Sequence, residues 1–186
     1  MTTVEYVSDP DRYSEAIKRL LVVVDDEFVP PLSAREGTTQ RSGLSDAERE
    51  TNAEVSEAIE TYHEACLEQH LILCHDDGEL AGFMSFRDGY ETPELGSFQP
   101  SNYVSTIAVD PEFRREGLAR RMYGTILSDL PEEITSPYVS TRTWSSNESH
   151  LSLLAELGFQ EVETIPDDRG DGVDTVYYAV SRSEFE

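Results

Sequence analysis

The apolar and polar positions divide the chain into short extended runs and longer amphipathic ones. Val4–Val7 predicts a strand, and the residues from about Asp11 to Val24 predict a helix. Pro30 and Pro31 then interrupt the pattern, and the polar stretch to Gly43 reads as a loop. Ser45 and Glu48 form a capping-box pair, behind which Val55, Ala58, Ile59, Tyr62, Ala65 and Cys66 recur at helical spacing. His70–His75 (HLILCH) predicts a buried strand, turned by Asp76-Asp77-Gly78 into a second one, ELAGFMSFR. Tyr103–Val109 (YVSTIAV) predicts a third. Leu118, Ala119, Met122, Tyr123, Ile126, Leu127 and Leu130 mark one helix face. A strand follows at Tyr138–Arg142, then a helix at Asn147–Leu157 that Gly158 stops. The last two strands, Phe159–Thr164 and Asp174–Ser181, flank the polar loop IPDDRGDG. The order β-α-α-β-β-β-α-β-α-β-β predicts an α/β (α+β) fold: one mixed, mostly antiparallel central sheet with helices on both faces.

Composition narrows the class. A chain of 186 residues with 38% hydrophobic and 28% charged residues fits one soluble domain, residues 1–186. No apolar run is long enough to span a membrane, and the N-terminus MTTVEYVSDPDRY has no signal-peptide pattern. Cys66 and Cys74 have neither metal-like nor CxxC spacing, so two reduced, buried thiols in a cytoplasmic protein are expected. The formal net charge is −24, and Lys18 is the one lysine. A dispersed acidic surface with almost no lysine fits a salt-rich, halophile-like cytoplasm, where screening makes like charge tolerable. An acidic face for a cationic partner is the alternative. Neither suits nucleic acid.

Against that background Asp110–Met122 (DPEFRREGLARRM) stands out, gathering Arg114, Arg115, Arg120 and Arg121 where a strand passes into a helix. The first N–H groups of a helix lack internal partners and carry the positive end of its dipole. Gly117 and the small Ala119 let a ligand approach the backbone. Together these suit a pyrophosphate, with contacts worth up to about 2 kcal/mol in favourable geometry. At ~1 M salt the Debye length is about 3 Å, so the acidic surface would repel an anionic ligand only weakly. The segment is neither a Walker loop nor GxGxxG.

Arg114-Arg115-Glu116-Gly117-Leu118-Ala119 after IAVDPEF resembles the [Q/R]-x-x-G-x-[G/A] loop of the GNAT superfamily of acyl-CoA-dependent N-acyltransferases. Asn147–Phe159 (NESHLSLLAELGF) is similar to that family's later motif, N-x-x-A-x-x-L-Y-x-x-x-G-F. The resemblance implies acetyl-CoA as co-substrate and no metal. Backbone groups of Ile107 and Val109 would pair with the pantetheine arm. The N–H groups of Arg115, Glu116, Gly117, Leu118, Ala119 and Arg120 would face the pyrophosphate, with side-chain charge from Arg114 and Arg120. Asn147 would hydrogen-bond the pantetheine.

Acetyl transfer to an amine needs a neutral nitrogen, a donor for the carbonyl oxygen and a proton for the departing sulfur. For a lysine-like amine, neutrality at pH 7 costs roughly 4–5 kcal/mol. The backbone N–H near Ile107 is the expected oxyanion donor. Two positions depart from the family pattern: Leu154 stands where many members carry a tyrosine proton donor, and SNYVST offers no glutamate. His150, one turn before Leu154, is a candidate proton donor or substrate-orienting group, or else a capping or packing residue. Tyr103 is a candidate at the thioester, or core. Arg142 and Trp144 are candidates to line the acceptor groove, with packing the alternative for Trp144. Glu91, Glu94 and the loop Asp167–Gly172 are candidates to gather a cationic amine. His63, His70 and His75 are read as structural.

The expected activity is acetyl transfer from acetyl-CoA to a small-molecule or peptide primary amine by direct attack. A catalytically altered CoA-binding regulatory or sensor module is the alternative, and a non-enzymatic acidic protein for cationic partners is the third reading. No nucleic-acid or membrane partner is expected, and a homodimer is compatible with the reading.

Overall fold

A computed structural model describes residues 1–35, 37–38 and 58–185. Gly43, the Ser45–Glu48 capping pair and Val55 lie outside the described residues. The strands are β1 (Thr2–Val7), β2 (His70–Asp76), β3 (Glu79–Tyr90), β4 (Ser101–Val109), β5 (Tyr138–Trp144), β6 (Gln160–Ile165) and β7 (Thr175–Ser181). Among the described residues the α-helices are α1 (Ser14–Val24), α2 (Glu60–Leu67), α3 (Leu118–Ser128) and α4 (Glu148–Glu156). The expected element order is the observed one, with β3 running three residues past Arg87.

The strands form one seven-stranded sheet in the order β1-β2-β3-β4-β5-β7-β6. The two-residue link from β2 to β3 takes positive φ at Asp77 (46°) and Gly78 (89°), the Asp-Gly geometry of a tight hairpin. The centre of HLILCH, Leu71–Cys74, is apolar and buried because helices cover both faces of its strand. Ile72 and Cys74 meet Leu118, Met122, Tyr123, Ile126 and Leu154 from α3 and α4. Leu71 and Leu73, pointing the other way, meet Ile17, Leu21, Tyr62 and Cys66 from α1 and α2. A smaller cluster of Leu95, Tyr103, Tyr177 and Ala179 fills the second face near β7.

Two features position the site. Arg182 fastens the C-terminus of α3: its Nη1 donates to the carbonyls of Ile126 and Leu127, two of the acceptors a helix end leaves over, and its Nε donates to Ser136 O at 2.9 Å. The second feature is a β-bulge. The β3–β4 register passes from Ser85↔Thr106 to Phe86↔Val104, so Ser105 is an extra residue on β4. The parallel pairing of β4 with β5 covers Ser101–Val104 against Tyr138–Thr141 and ends there. Beyond the bulge the two strands part, and the edge of β4 towards Val109 is left without a strand partner on that side.

Candidate active site

The parted strands frame a cleft of about 450 Å³. Val104–Val109 of β4 form one wall and Thr141–Trp144 of β5 the other, with Asn147, Ser149, His150 and Leu153 of the α4 segment closing one side. Ile107, Val109, Arg114, Ala119, Asn147 and His150, all expected at a site from sequence, therefore line one cavity.

The loop from β4 into α3 is shaped for an anion. Asp110 caps a short turn by accepting from Glu112 N at 2.9 Å. Arg115 and Gly117 both take left-handed backbone angles, with φ of 68° and 73°. The first α-helical bond closed at this end is Arg121 N–H to Gly117 O at 3.1 Å, so the N–H groups of Leu118, Ala119 and Arg120 have no acceptor four residues back. Leu118 is buried and anchors the helix start in the core, while Arg115, Glu116, Gly117 and Arg120 are exposed. No heavy atom lies within 4 Å of where a Cβ would sit on Gly117, which leaves that side open for a ligand. A pyrophosphate fits this donor set: clustered N–H groups, the positive helix end and the charge of Arg115.

The side chains of Arg114 and Arg120 stand differently from expectation. Arg114 forks onto the carboxylate of Glu27, at 2.9 Å for Nη1 to Oε1, and also donates to Val109 O at 3.2 and 3.3 Å. Arg120 pairs with Glu156. Both pairs are largely exposed and worth at most about 1 kcal/mol each, a small barrier to exchange for a multiply charged ligand.

His150 sits in a hydrogen-bond chain. Asn147 Nδ2, which can only donate, reaches Thr143 Oγ1 at 3.1 Å, and Thr143 Oγ1 meets His150 Nδ1 at 3.3 Å. His150 Nε2 meets Tyr123 Oη at 2.8 Å. Tyr123 and Thr143 thus hold one ring nitrogen each, as donor or acceptor according to the tautomer. Burial pushes the His150 pKa down to about 4. The ring is therefore neutral at pH 7 with both nitrogens committed, which suits orientation rather than proton donation.

Tyr103, expected at the thioester, is not in the cleft. It is 1% exposed and stacks on Tyr90 with ring centroids 4.3 Å apart. Simple alternation would put Tyr103 on the face of Ile107 and Val109, but the extra residue at Ser105 inverts the alternation. Tyr103 joins one cluster while Ile107 and Val109 pack in the other.

The acceptor end differs in sign from expectation. Neither Glu91 nor Glu94 lines the cleft, and the Asp167–Gly172 loop contributes Arg169 to it rather than a carboxylate. Arg142 and Trp144 do line it, joined by Phe28 and Arg35 from the segment after α1. Arg35, Phe28, Trp144 and Arg169 form a ladder: each guanidinium lies over its neighbouring ring, at 5.5 and 5.6 Å, and the two rings are 5.5 Å apart. Burial, then the positive charges of Arg35 and Arg142, pull the Arg169 pKa down to about 9. Arg35 and Arg169 were missed from sequence because they approach from loops far apart in the chain. A scarcity of cations that nonetheless spends arginines outside the anion loop was the available signal.

A family model described as the acetyltransferase (GNAT) family matches residues 40–159. Over 85 residues the sequence is 33% identical to N-alpha-acetyltransferase daf-31 of Caenorhabditis elegans, a stretch covering 45% of this chain and 46% of that protein. The chain thus spans about half the length of this curated relative. Among solved structures, an N-acetyltransferase from Staphylococcus aureus Mu50 matches with a TM-score of 0.63 at 16% identity, over 98% of this chain and 99% of that one. A Salmonella typhimurium protein determined with its cofactor acetyl-CoA matches at 0.63 and 15%, over 98% and 94%. The ribosomal-protein-S18-alanine N-acetyltransferase from Escherichia coli matches at 0.60 and 16%, over 97% and 94%. At these identities the structural likeness is one of fold.

Proposed function

The chain belongs to the acetyltransferase (GNAT) family, and from that premise we propose that it moves an acetyl group from acetyl-CoA to a primary amine at the β4–β5 cleft. The observation that carries the reading is the parting of β4 from β5 at the Ser105 bulge, directly before an anion-shaped loop. One event in the backbone thus leaves an unpaired strand edge beside unspent helix N–H groups.

Acetyl-CoA supplies a thioester: the amine forms a C–N bond to its carbonyl carbon as the C–S bond breaks, the nitrogen losing one proton and the sulfur gaining one. The residues of this chain hold the reactants in place. The N–H groups of Leu118, Ala119 and Arg120, with Arg115, hold the pyrophosphate. Backbone groups of β4 from Ser105 to Val109 offer the bonds a neighbouring strand would otherwise take. Asn147, held by Thr143, presents its amide to the cleft, and His150 keeps Thr143 facing it. Glu27 is the carboxylate among the described lining residues and pairs with Arg114; water, or Glu27 once Arg114 turns to the pyrophosphate, takes the amine proton.

The test is release of the CoA thiol by the pure protein with acetyl-CoA and a panel of amines, at molar salt. Saturable, amine-dependent release is expected. Acetyl-CoA binding without release from any amine would contradict the reading and leave a CoA-binding module in its place.

A further inference from the structure

We infer that the acceptor is a small amine that also carries a carboxylate, held by the guanidiniums of Arg142 and Arg169 with Arg35 behind them. This rests on the acyltransferase reading of the cleft and names the substrate class of that site.

The chain holds 38 acidic residues against 14 lysines and arginines, so counter-ions are abundant. The exposed Arg114 and Arg120 each take one. The cleft arginines do not: among the described residues no carboxylate pairs with Arg35, Arg142 or Arg169, although two of them are only 8% and 4% exposed. Asp168 lies close enough to Arg169 to act on it electrostatically, but its carboxylate accepts from the Thr175 hydroxyl at 2.6 Å instead. Buried cations without a counter-ion are costly; Arg142 repels both buried arginines, Arg35 and Arg169, and Arg35 repels Arg169. A ligand anion removes that cost.

The cluster is fixed as a receptor would be. Val29 O accepts from both Arg169 Nη1 at 2.8 Å and Arg35 Nη2 at 3.3 Å, and Pro30 O accepts from Arg35 Nε at 3.1 Å. Arg169 Nε donates to Thr175 Oγ1 at 2.9 Å. Its Nη2 meets no acceptor among the described residues, yet is not among the side-chain atoms sealed from solvent without a partner. In a residue so buried, that nitrogen reaches solvent through the cleft it lines. Arg142, opposite Tyr177 in the β5–β7 pairing, lines the same wall. A cleft of about 450 Å³ that must also admit the thioester leaves room for a small acceptor.

Trp144, the one tryptophan of the chain, lies under Arg169 and reports occupancy directly. At fixed chloride, its fluorescence and the rate of thiol release are followed with L-amino acids, with their carboxamides, and with short peptides bearing an acidic side chain next to the N-terminus. Amino acids are expected to exceed their carboxamides by roughly thirtyfold in kcat/KM, the scale of a lost charge-assisted bond. Arg142→Gln and Arg169→Gln should reduce that ratio to about threefold or less, with KM for acetyl-CoA unchanged. Acidic peptides outpacing free amino acids would overturn the small acceptor, the carboxylate then belonging to a peptide. Carboxamides equal to acids in wild-type protein would overturn the inference whether or not the variants fold. If no amine supports thiol release, the acyltransferase reading fails by itself. The Trp144 titration still decides the anion site: a response to acids alone upholds it, and an equal or absent response overturns it.

Discussion

Replacing His150 by glutamine should flatten the stability loss that the wild-type protein shows on acidification. Burial holds the His150 pKa near 4, below the ordinary value of 6.5 for an unfolded chain. Between those values the unfolded state binds a proton that the folded state does not, so stability falls as pH drops through that window and is fully present above it. A shift of this size, at 1.36 kcal/mol per unit, corresponds to about 3 kcal/mol. The imidazole borders the cleft, and water there reduces the penalty, leaving about 2 kcal/mol. Glutamine keeps a donor and an acceptor for Tyr123 and Thr143 but cannot titrate. Urea unfolding of both proteins from about pH 7 to about pH 4.5, at constant molar salt, gives the difference free of the many carboxylates they share. Wild type should lose about 2 kcal/mol relative to His150→Gln across that range. Parallel curves, or an NMR titration of His150 with a midpoint near 6.5, would refute the buried, neutral ring.

Gly117→Ala meets no steric obstacle but must hold φ at 73°, so it should cost about 1 kcal/mol in unfolding free energy and weaken acetyl-CoA binding in calorimetry. An unchanged affinity would show that the loop does not hold the pyrophosphate. Gly82→Ala should be the more damaging change: its Cβ would lie 2.8 Å from the Ala108 carbonyl, forcing β3 from β4 opposite Val109, and a loss of about 2 kcal/mol or more is expected by urea unfolding. Lowering salt from about 1 M to about 0.1 M lengthens the Debye screening distance from about 3 to about 10 Å. With a net charge of −24, the chain should lose stability across that change, and a melting temperature independent of salt would contradict the halophilic reading of its composition.

The elements were legible because each is local. HLILCH reads as a buried strand and Asp76-Asp77-Gly78 as its turn, and the α3 face is written at helical spacing; the structure adds that helices cover both faces of that strand. The proposed anion loop was legible for the same reason, since its donors are mostly its own backbone N–H groups. What escaped sequence reading depends on register and on distant loops. The extra residue at Ser105 exists only relative to Ser85 and Phe86 of β3, yet it sends Tyr103 to the opposite face from Ile107. The charge of the acceptor end is set by Arg35 and Arg169, which lie more than a hundred residues apart and meet at one carbonyl, that of Val29. The role of His150 turned on Tyr123 and Thr143, neither of which carries a motif.

The central claim is that one bulge in β4 opens the binding site for acetyl-CoA between β4 and β5. A crystal structure of the protein with acetyl-CoA tests it most directly. The pyrophosphate should lie on the N–H groups of Leu118, Ala119 and Arg120, and the pantetheine arm along the unpaired edge of β4 from Ser105 to Val109. The thioester should point towards Arg142 and Trp144. A cofactor bound elsewhere, or a β4 edge closed against β5 in the complex, would contradict it.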